Sequence, residues 1–121
     1  MIDHVVLNVS DLKASRAFYE KALQPLGMDL LGDYQGYIGF GKDRVSFFWL
    51  TARKETSQNV HVAFGCDERP TVDAFYEAAM AAGGKDNGGP GVREIYHADY
   101  YGAFVLDPDG NNIEAVCHKK E

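Results

Sequence analysis

Two cysteines in 121 residues are too few for a disulfide framework. Cys66 and Cys117 lie in or at the ends of apolar segments, so buried free thiols are expected. Basic charge is scarce too: 12 Lys+Arg stand against 18 Asp+Glu, a net charge of -6 at pH 7. Nucleic-acid phosphates are held by a clustered cationic face, which this chain does not supply, so no nucleic-acid partner is expected. No apolar run approaches the roughly 18 residues of a membrane span. Met1-Ile2-Asp3-His4 also lacks the basic flank and apolar stretch of a signal peptide. The expectation is a cytoplasmic protein with no membrane partner. What the chain has in quantity is apolar side chains, 45% of the total, which suits one compact domain over 1–121 and leaves no room for a second full-sized one.

Sliding the chain along itself reveals one strong offset, 57 residues. His4-Val5 falls on His61-Val62, and Ala17-Phe18-Tyr19-Glu20 falls on Ala74-Phe75-Tyr76-Glu77. Ala22 then meets Ala79, and Gly27 meets Gly84. Two amphipathic helices could share a tetrapeptide by chance, but a helix face does not dictate the same His-Val thirteen residues upstream. The chain therefore reads as a duplication, with module one at about 1–53, module two at about 59–118 and Lys54 to Gln58 as the connector.

Periodicity and punctuation sketch each module. Ile2 to Val9 is apolar and β-branched and reads as a strand. Ser10 or Asp11 then caps a helix to about Gln24, stopped by Pro25 and Gly27. Strands follow near Met28 to Tyr34, Tyr37 to Gly41 and Arg44 to Thr51, with turns at Gln35-Gly36 and Lys42-Asp43. In the second module Asn59 to Cys66 is a strand and Pro70 opens a helix reaching Ala82. The Gly83 to Gly91 stretch is too glycine-rich to be regular, and strands near Val92 to Tyr96, Tyr101 to Leu106 and Asn112 to Cys117 complete the unit. The expected class is α+β, two βαβββ modules.

Strand alternation puts His4 on one face with Val6 and Asn8, His61 with Ala63 and Gly65, and Glu114 with Asn112 and Val116. A carboxylate flanked by Ile113, Ala115 and Val116 is costly to bury without a cation or strong donors. If the modules pair so that these strands meet, His4, His61 and Glu114 converge as two imidazoles and a carboxylate, leaving about half of an octahedral ion's positions open. Fe, Mn, Ni and Zn all accept such ligands.

The same residues carry a family resemblance. His4-Val5-Val6-Leu7-Asn8-Val9-Ser10-Asp11, Ser15-Arg16-Ala17-Phe18-Tyr19 and above all Asp107-Pro108-Asp109-Gly110-Asn111-Asn112-Ile113-Glu114 resemble the vicinal oxygen chelate superfamily. That group holds glyoxalase I, extradiol dioxygenases, fosfomycin-resistance thiol transferases and bleomycin-binding proteins. The resemblance spans nearly the whole chain. It implies paired modules curling into a half-open barrel around one divalent ion, with His4, His61 and Glu114 as ligands. It also implies a homodimer, in which His4 and His61 of one site can come from different subunits.

Departures from the family pattern narrow the choice. Aligning Lys42-Asp43 with Pro108-Asp109 sets Phe48 opposite Glu114, where glyoxalase I carries a fourth, glutamate ligand. The loss argues against that enzyme and for a three-ligand site. A phosphonate pocket needs cations and hydroxyls, whereas Tyr37, Phe47, Phe48 and Trp49 offer an aromatic one. The assisting His and Tyr of extradiol dioxygenases have no clear counterpart at matching positions. Around Tyr96-His97-Ala98-Asp99-Tyr100-Tyr101, His97 is a candidate acid or base beside Glu114, with Tyr100 and Tyr101 as pocket residues. The bland alternative is a solvated loop whose tyrosines pack on the sheet edge. The expectation is a metal-dependent enzyme whose ion acts as a Lewis acid on two adjacent oxygens of a small, partly aromatic or apolar substrate. Two alternatives stay open, a drug- or metabolite-sequestering protein and an extradiol dioxygenase.

Overall fold

The computed structural model describes residues 1–121 as two units, each a sheet backed by a helix. In the first, strand β1 (Val5–Asn8) leads to helix α1 (Leu12–Ala22), a short 3-10 turn at Gln24–Leu26, and strands β2 (Asp29–Tyr34), β3 (Tyr37–Lys42) and β4 (Val45–Thr51). Asp11 caps α1, accepting from the Ala14 N–H at 3.1 Å. The sheet order is β1-β4-β3-β2, with β1 parallel to β4 and the other pairs antiparallel. The second unit repeats the plan with strand β5 (His61–Cys66), helix α2 (Arg69–Ala81), and strands β8 (Tyr101–Leu106) and β9 (Asn112–Cys117). Here β5 runs parallel to β9, and β9 pairs with β8. Neither helix is long and apolar enough to cross a membrane.

The units differ in their second strand. A continuous strand is expected near Val92 to Tyr96, but the structure has two short pieces, β6 (Lys85–Asp86) and β7 (Gly91–Val92), both laid against β8. Glycine at 88, 89 and 91 lets the chain leave and rejoin β8, and 93–100 becomes a loop. The β3–β4 turn also shifts by one residue. Asp43 and Arg44 take φ of 51° and 68°, the paired positive values of a tight hairpin, and a bulge falls at Gly41. A Cβ at Gly41 would lie 1.7 Å from the Val45 carbonyl oxygen, so only glycine fits there.

One core joins the units. Phe18 and Ala22 of α1 and their repeat counterparts Phe75 and Ala79 of α2 are all buried, together with Leu7, Phe40, Phe48, Leu50, Val105 and Ile113. Each large side chain contributes about 1.5–3 kcal/mol by leaving water. Polar clasps reinforce the joint. Asp107 is 5% exposed and accepts from the Tyr19 hydroxyl at 2.5 Å and the Asn111 N–H at 2.8 Å. Ser10 donates to Asp109, and the Val60 N–H donates to Asn111 at 3.0 Å. Cys66 and Cys117 are register partners with free thiols. The helices thus cover one face of each sheet, and His4 and His61 stand on the exposed side.

Candidate metal centre

In β5 the side chains of His61, Ala63 and Gly65 share an exposed face because Val62 and Phe64 pack inward. Register sets Ala63 beside Glu114 and His61 beside Asn112. His61 therefore reaches diagonally across to Glu114, Nε2 to Oε1 at 2.8 Å, with side-chain exposures of 52% and 1%. The carboxylate's other oxygen, Oε2, accepts the hydroxyl of Tyr100. A buried carboxylate needs such donors. Phe104, the β8 residue facing Glu114, walls the site with its ring 6.1 Å from that of His61. Asn112 Oδ1 is buried without a hydrogen-bond partner on the same face.

Tyr100 is firmly held. Its ring stands edge-on to His97 (5.5 Å, 73°) and His118 (5.2 Å, 85°) and tilted against Tyr96 (4.8 Å). The two imidazoles are joined, Nε2 of His97 to Nδ1 of His118 at 2.8 Å, and Nδ1 of His97 accepts the Asp99 N–H at 3.0 Å. Both nitrogens of His97 are thus engaged away from Glu114. Burial, and then the bond to Glu114, raise the Tyr100 phenol well above its ordinary range, so it stays a proton donor. Arg93 lies over Phe104 at 5.4 Å and donates to the Gly89 carbonyl, placing a cation on the rim.

His4 does not join this group. It projects from the far sheet, its Nδ1 2.7 Å from Asp3, into a depression of about 260 Å³ that it lines with Val6, Tyr34, Tyr37 and Trp49. No three His, Cys, Asp or Glu side chains gather within one chain. The register also corrects the fourth position. Val6 pairs with Trp49 as Ala63 pairs with Glu114, so Trp49 occupies the place in module one that Glu114 holds in module two. Phe48 pairs with Val5, 1% exposed, and matches Ile113. Its ring closes the inner wall of an apolar cleft of about 520 Å³ between the units, with Phe47, Phe64 and the His61 rim. Tyr101, expected beside Tyr100, turns the other way by strand alternation. Its hydroxyl donates to Asp73 of α2 at 2.6 Å, which together with burial pushes its pKa up to about 12.

The donor set His61–Glu114 suits a borderline divalent ion by its chemistry, an imidazole nitrogen and a carboxylate oxygen 2.8 Å apart with an orphaned acceptor on the same face. A third donor has to come from outside this face. The sequence pattern points to neither His118 nor Phe104 as a site residue, and to Trp49 only as a pocket aromatic, not as the counterpart of Glu114. Trp49 was recoverable from strand pairing, whereas His118 follows a strand end where no periodicity points to it.

Residues 1–115 match the Glyoxalase/Bleomycin resistance protein/Dioxygenase superfamily. The chain is 32% identical to the lactoylglutathione lyase of Neisseria meningitidis, covering 96% of this chain and 89% of that one. It is 30% identical to a probable lactoylglutathione lyase of Vibrio cholerae, covering 97% and 90%. Among solved structures, a glyoxalase/bleomycin resistance protein from Albidiferax ferrireducens superposes with a TM-score of 0.81 at 27% identity, covering 97% of this chain and 98% of that one. A repeated βαβββ plan, a sheet face carrying His61 and Glu114, and this likeness along almost the whole length agree, and the chain belongs to the Glyoxalase/Bleomycin resistance protein/Dioxygenase superfamily.

Proposed function

We propose that the protein is a divalent-metal-dependent lyase or isomerase acting on a small molecule with two adjacent oxygens, and that its site forms between two copies of the chain. The observation that carries this reading is the His61–Glu114 pair, a buried carboxylate in direct contact with an exposed imidazole. The ion, when bound, supplies Lewis-acid stabilisation of negative charge on a substrate oxygen. His61 and Glu114 hold it from one chain. His4 of a second copy supplies the third donor, because its own sheet carries it away from His61 while leaving Val6 and Tyr34 exposed at 43% and 68%. The free edges of β1 and β5 favour such an assembly, since an unpaired edge invites a partner.

Substrate contacts follow from the walls. Phe104 and Trp49 bring aromatic faces and Arg93 a cation, which suits an anionic molecule with an apolar or aromatic body. The lactoylglutathione lyase of Neisseria meningitidis and the probable lactoylglutathione lyase of Vibrio cholerae, both similar along almost the whole chain, support a lyase or isomerase reading here. Trp49 in place of a second carboxylate leaves the substrate's proton to Glu114 or to the substrate itself, so a different substrate from that of the four-ligand enzymes is favoured. The broad apolar cleft supports a second reading, a ligand-sequestering protein.

Metal content of wild type and of His4→Ala, His61→Ala and Glu114→Ala, followed by mixing of His4→Ala with Glu114→Ala, tests the proposal. Each variant alone should lose most bound ion. The refolded mixture should regain about one site in four, because half of the random pairs are mixed and each mixed pair holds one intact site of two. No recovery on mixing, or a monomer by light scattering, rejects the shared site. Tight ligand binding by metal-free wild type selects sequestration.

A further inference from the structure

Resting on the proposed metal site, we propose that Tyr100 is a positioning residue that keeps Glu114 a one-oxygen ligand. Its hydroxyl occupies Oε2, so Oε1 alone faces His61. A carboxylate that turned both oxygens to an ion would fill two of its positions and remove one that a chelating substrate needs. The surroundings are built for this task. The loop that brings Tyr100 in is closed on itself, Arg93 N–H to the Tyr100 carbonyl at 2.7 Å and Tyr100 N–H to the His97 carbonyl at 3.2 Å. Three rings, Tyr96, His97 and His118, box the phenol from the solvent side. Gly102 leaves the space between phenol and carboxylate: a Cβ there would sit 3.2 Å from Tyr100 Cε1 and 3.3 Å from Glu114 Oε2. His97 of this loop and His118 beyond β9 thus act through Tyr100, and Tyr100 through Glu114. Module one offers no counterpart, since Trp49 stands in the glutamate's place.

The test uses the full chain loaded with Co(II), whose visible spectrum reports coordination number, with affinity measured by chelator competition. Tyr100→Phe should stay folded but melt a few degrees below wild type without metal, since Glu114 Oε2 loses its donor; it should also change the Co(II) spectrum as Glu114 swings to two-oxygen binding, and shift affinity by about 10–100-fold. Gly102→Ala, which wedges a methyl between the same two groups, should change the spectrum in the same direction and covers the case of an unfolded Tyr100→Phe. In a Glu114→Gln background, Tyr100→Phe should add no further spectral change. A Tyr100→Phe spectrum and affinity equal to wild type, or an equal effect in the Glu114→Gln background, overturns the positioning role and leaves the metal site standing. Wild type that takes up no divalent ion overturns both.

Discussion

Trp49→Glu and Phe48→Glu, substitutions one residue apart on β4, should have opposite effects. Phe48 is 1% exposed and sits edge-on to Tyr19 (5.1 Å) and Phe64 (5.3 Å) in the shared core. Losing such a ring costs about 3–5 kcal/mol. A carboxylate buried there without donors adds several kcal/mol more. Total stability at this length is roughly 6–18 kcal/mol, so Phe48→Glu should remove most of it. Trp49 is half-buried on the other face, its indole lying over Gly32 and Gly39, where a Cβ at Gly39 would come within 2.7 Å of the ring. Removing that cover costs about 1–2 kcal/mol, a fall in melting temperature of about 3–12 °C. The new carboxylate would stand beside His4 as Glu114 stands beside His61. In the assembled site it adds a fourth donor, and affinity for Ni or Mn should tighten tenfold or more, about 1.4 kcal/mol. Activity should fall as an open position closes. Differential scanning calorimetry and metal titration of the two variants decide the matter. Tighter metal binding in a stable Phe48→Glu protein, or equal collapse of both variants, would refute the register argument.

Tyr19→Phe leaves the buried Asp107 short of its hydroxyl donor and should cost about 1–3 kcal/mol by urea unfolding, with an unchanged denaturant slope. An unchanged midpoint would show that the bond between Tyr19 and Asp107 contributes nothing. Alkaline stability should also decline in a defined window. Burial raises Tyr19 and Tyr100, and the Asp73 bond lifts Tyr101 to about 12, whereas an unfolded tyrosine ionises near its ordinary value of about 10. Below about pH 10 both states keep these protons. Above it the unfolded chain binds fewer, so stability falls as pH rises, until Tyr101 ionises in the folded state as well near pH 12. Tyrosinate absorbance in the native state should show these groups ionising late. Flat stability from pH 9 to about 12 would contradict the assignment.

Most of the fold was legible because duplication writes the same period twice: Phe18 and Phe75, Ala22 and Ala79 are buried as equivalents. His61 and Glu114 were legible for a local reason, since alternation along a strand fixes which face a side chain takes. The fourth position was misplaced because the offset is not constant. It is 57 from His4 to His61 but 65 from Trp49 to Glu114, and aligning the turns instead of the strands slipped the register by one residue. In a sheet that slip exchanges core for exposed face, which is how Phe48 took Trp49's role. The one-residue bulge at Gly41 is the physical source of the error. Tyr100 was legible as a pocket residue, but its bond to Glu114 was not. It stands on a loop closed by backbone bonds between 93 and 100, where no repeat period encodes proximity to Glu114.

The turn from Asp107 to Asn111 bears on how the molecule comes into being. Tyr19, Ser10 and Val60 all wait for partners that lie 51 to 99 residues further along the chain. On a ribosome the first helix emerges with its buried phenol still lacking an acceptor, and stays so until almost the entire second repeat has been synthesised. The first repeat is therefore only provisionally packed during translation, and these distant bonds close only after the 107–111 turn exists, each with a loop-entropy cost set by its separation. A stop codon before Asp107 would release a chain whose first half had never been finished, although every residue of that half was present.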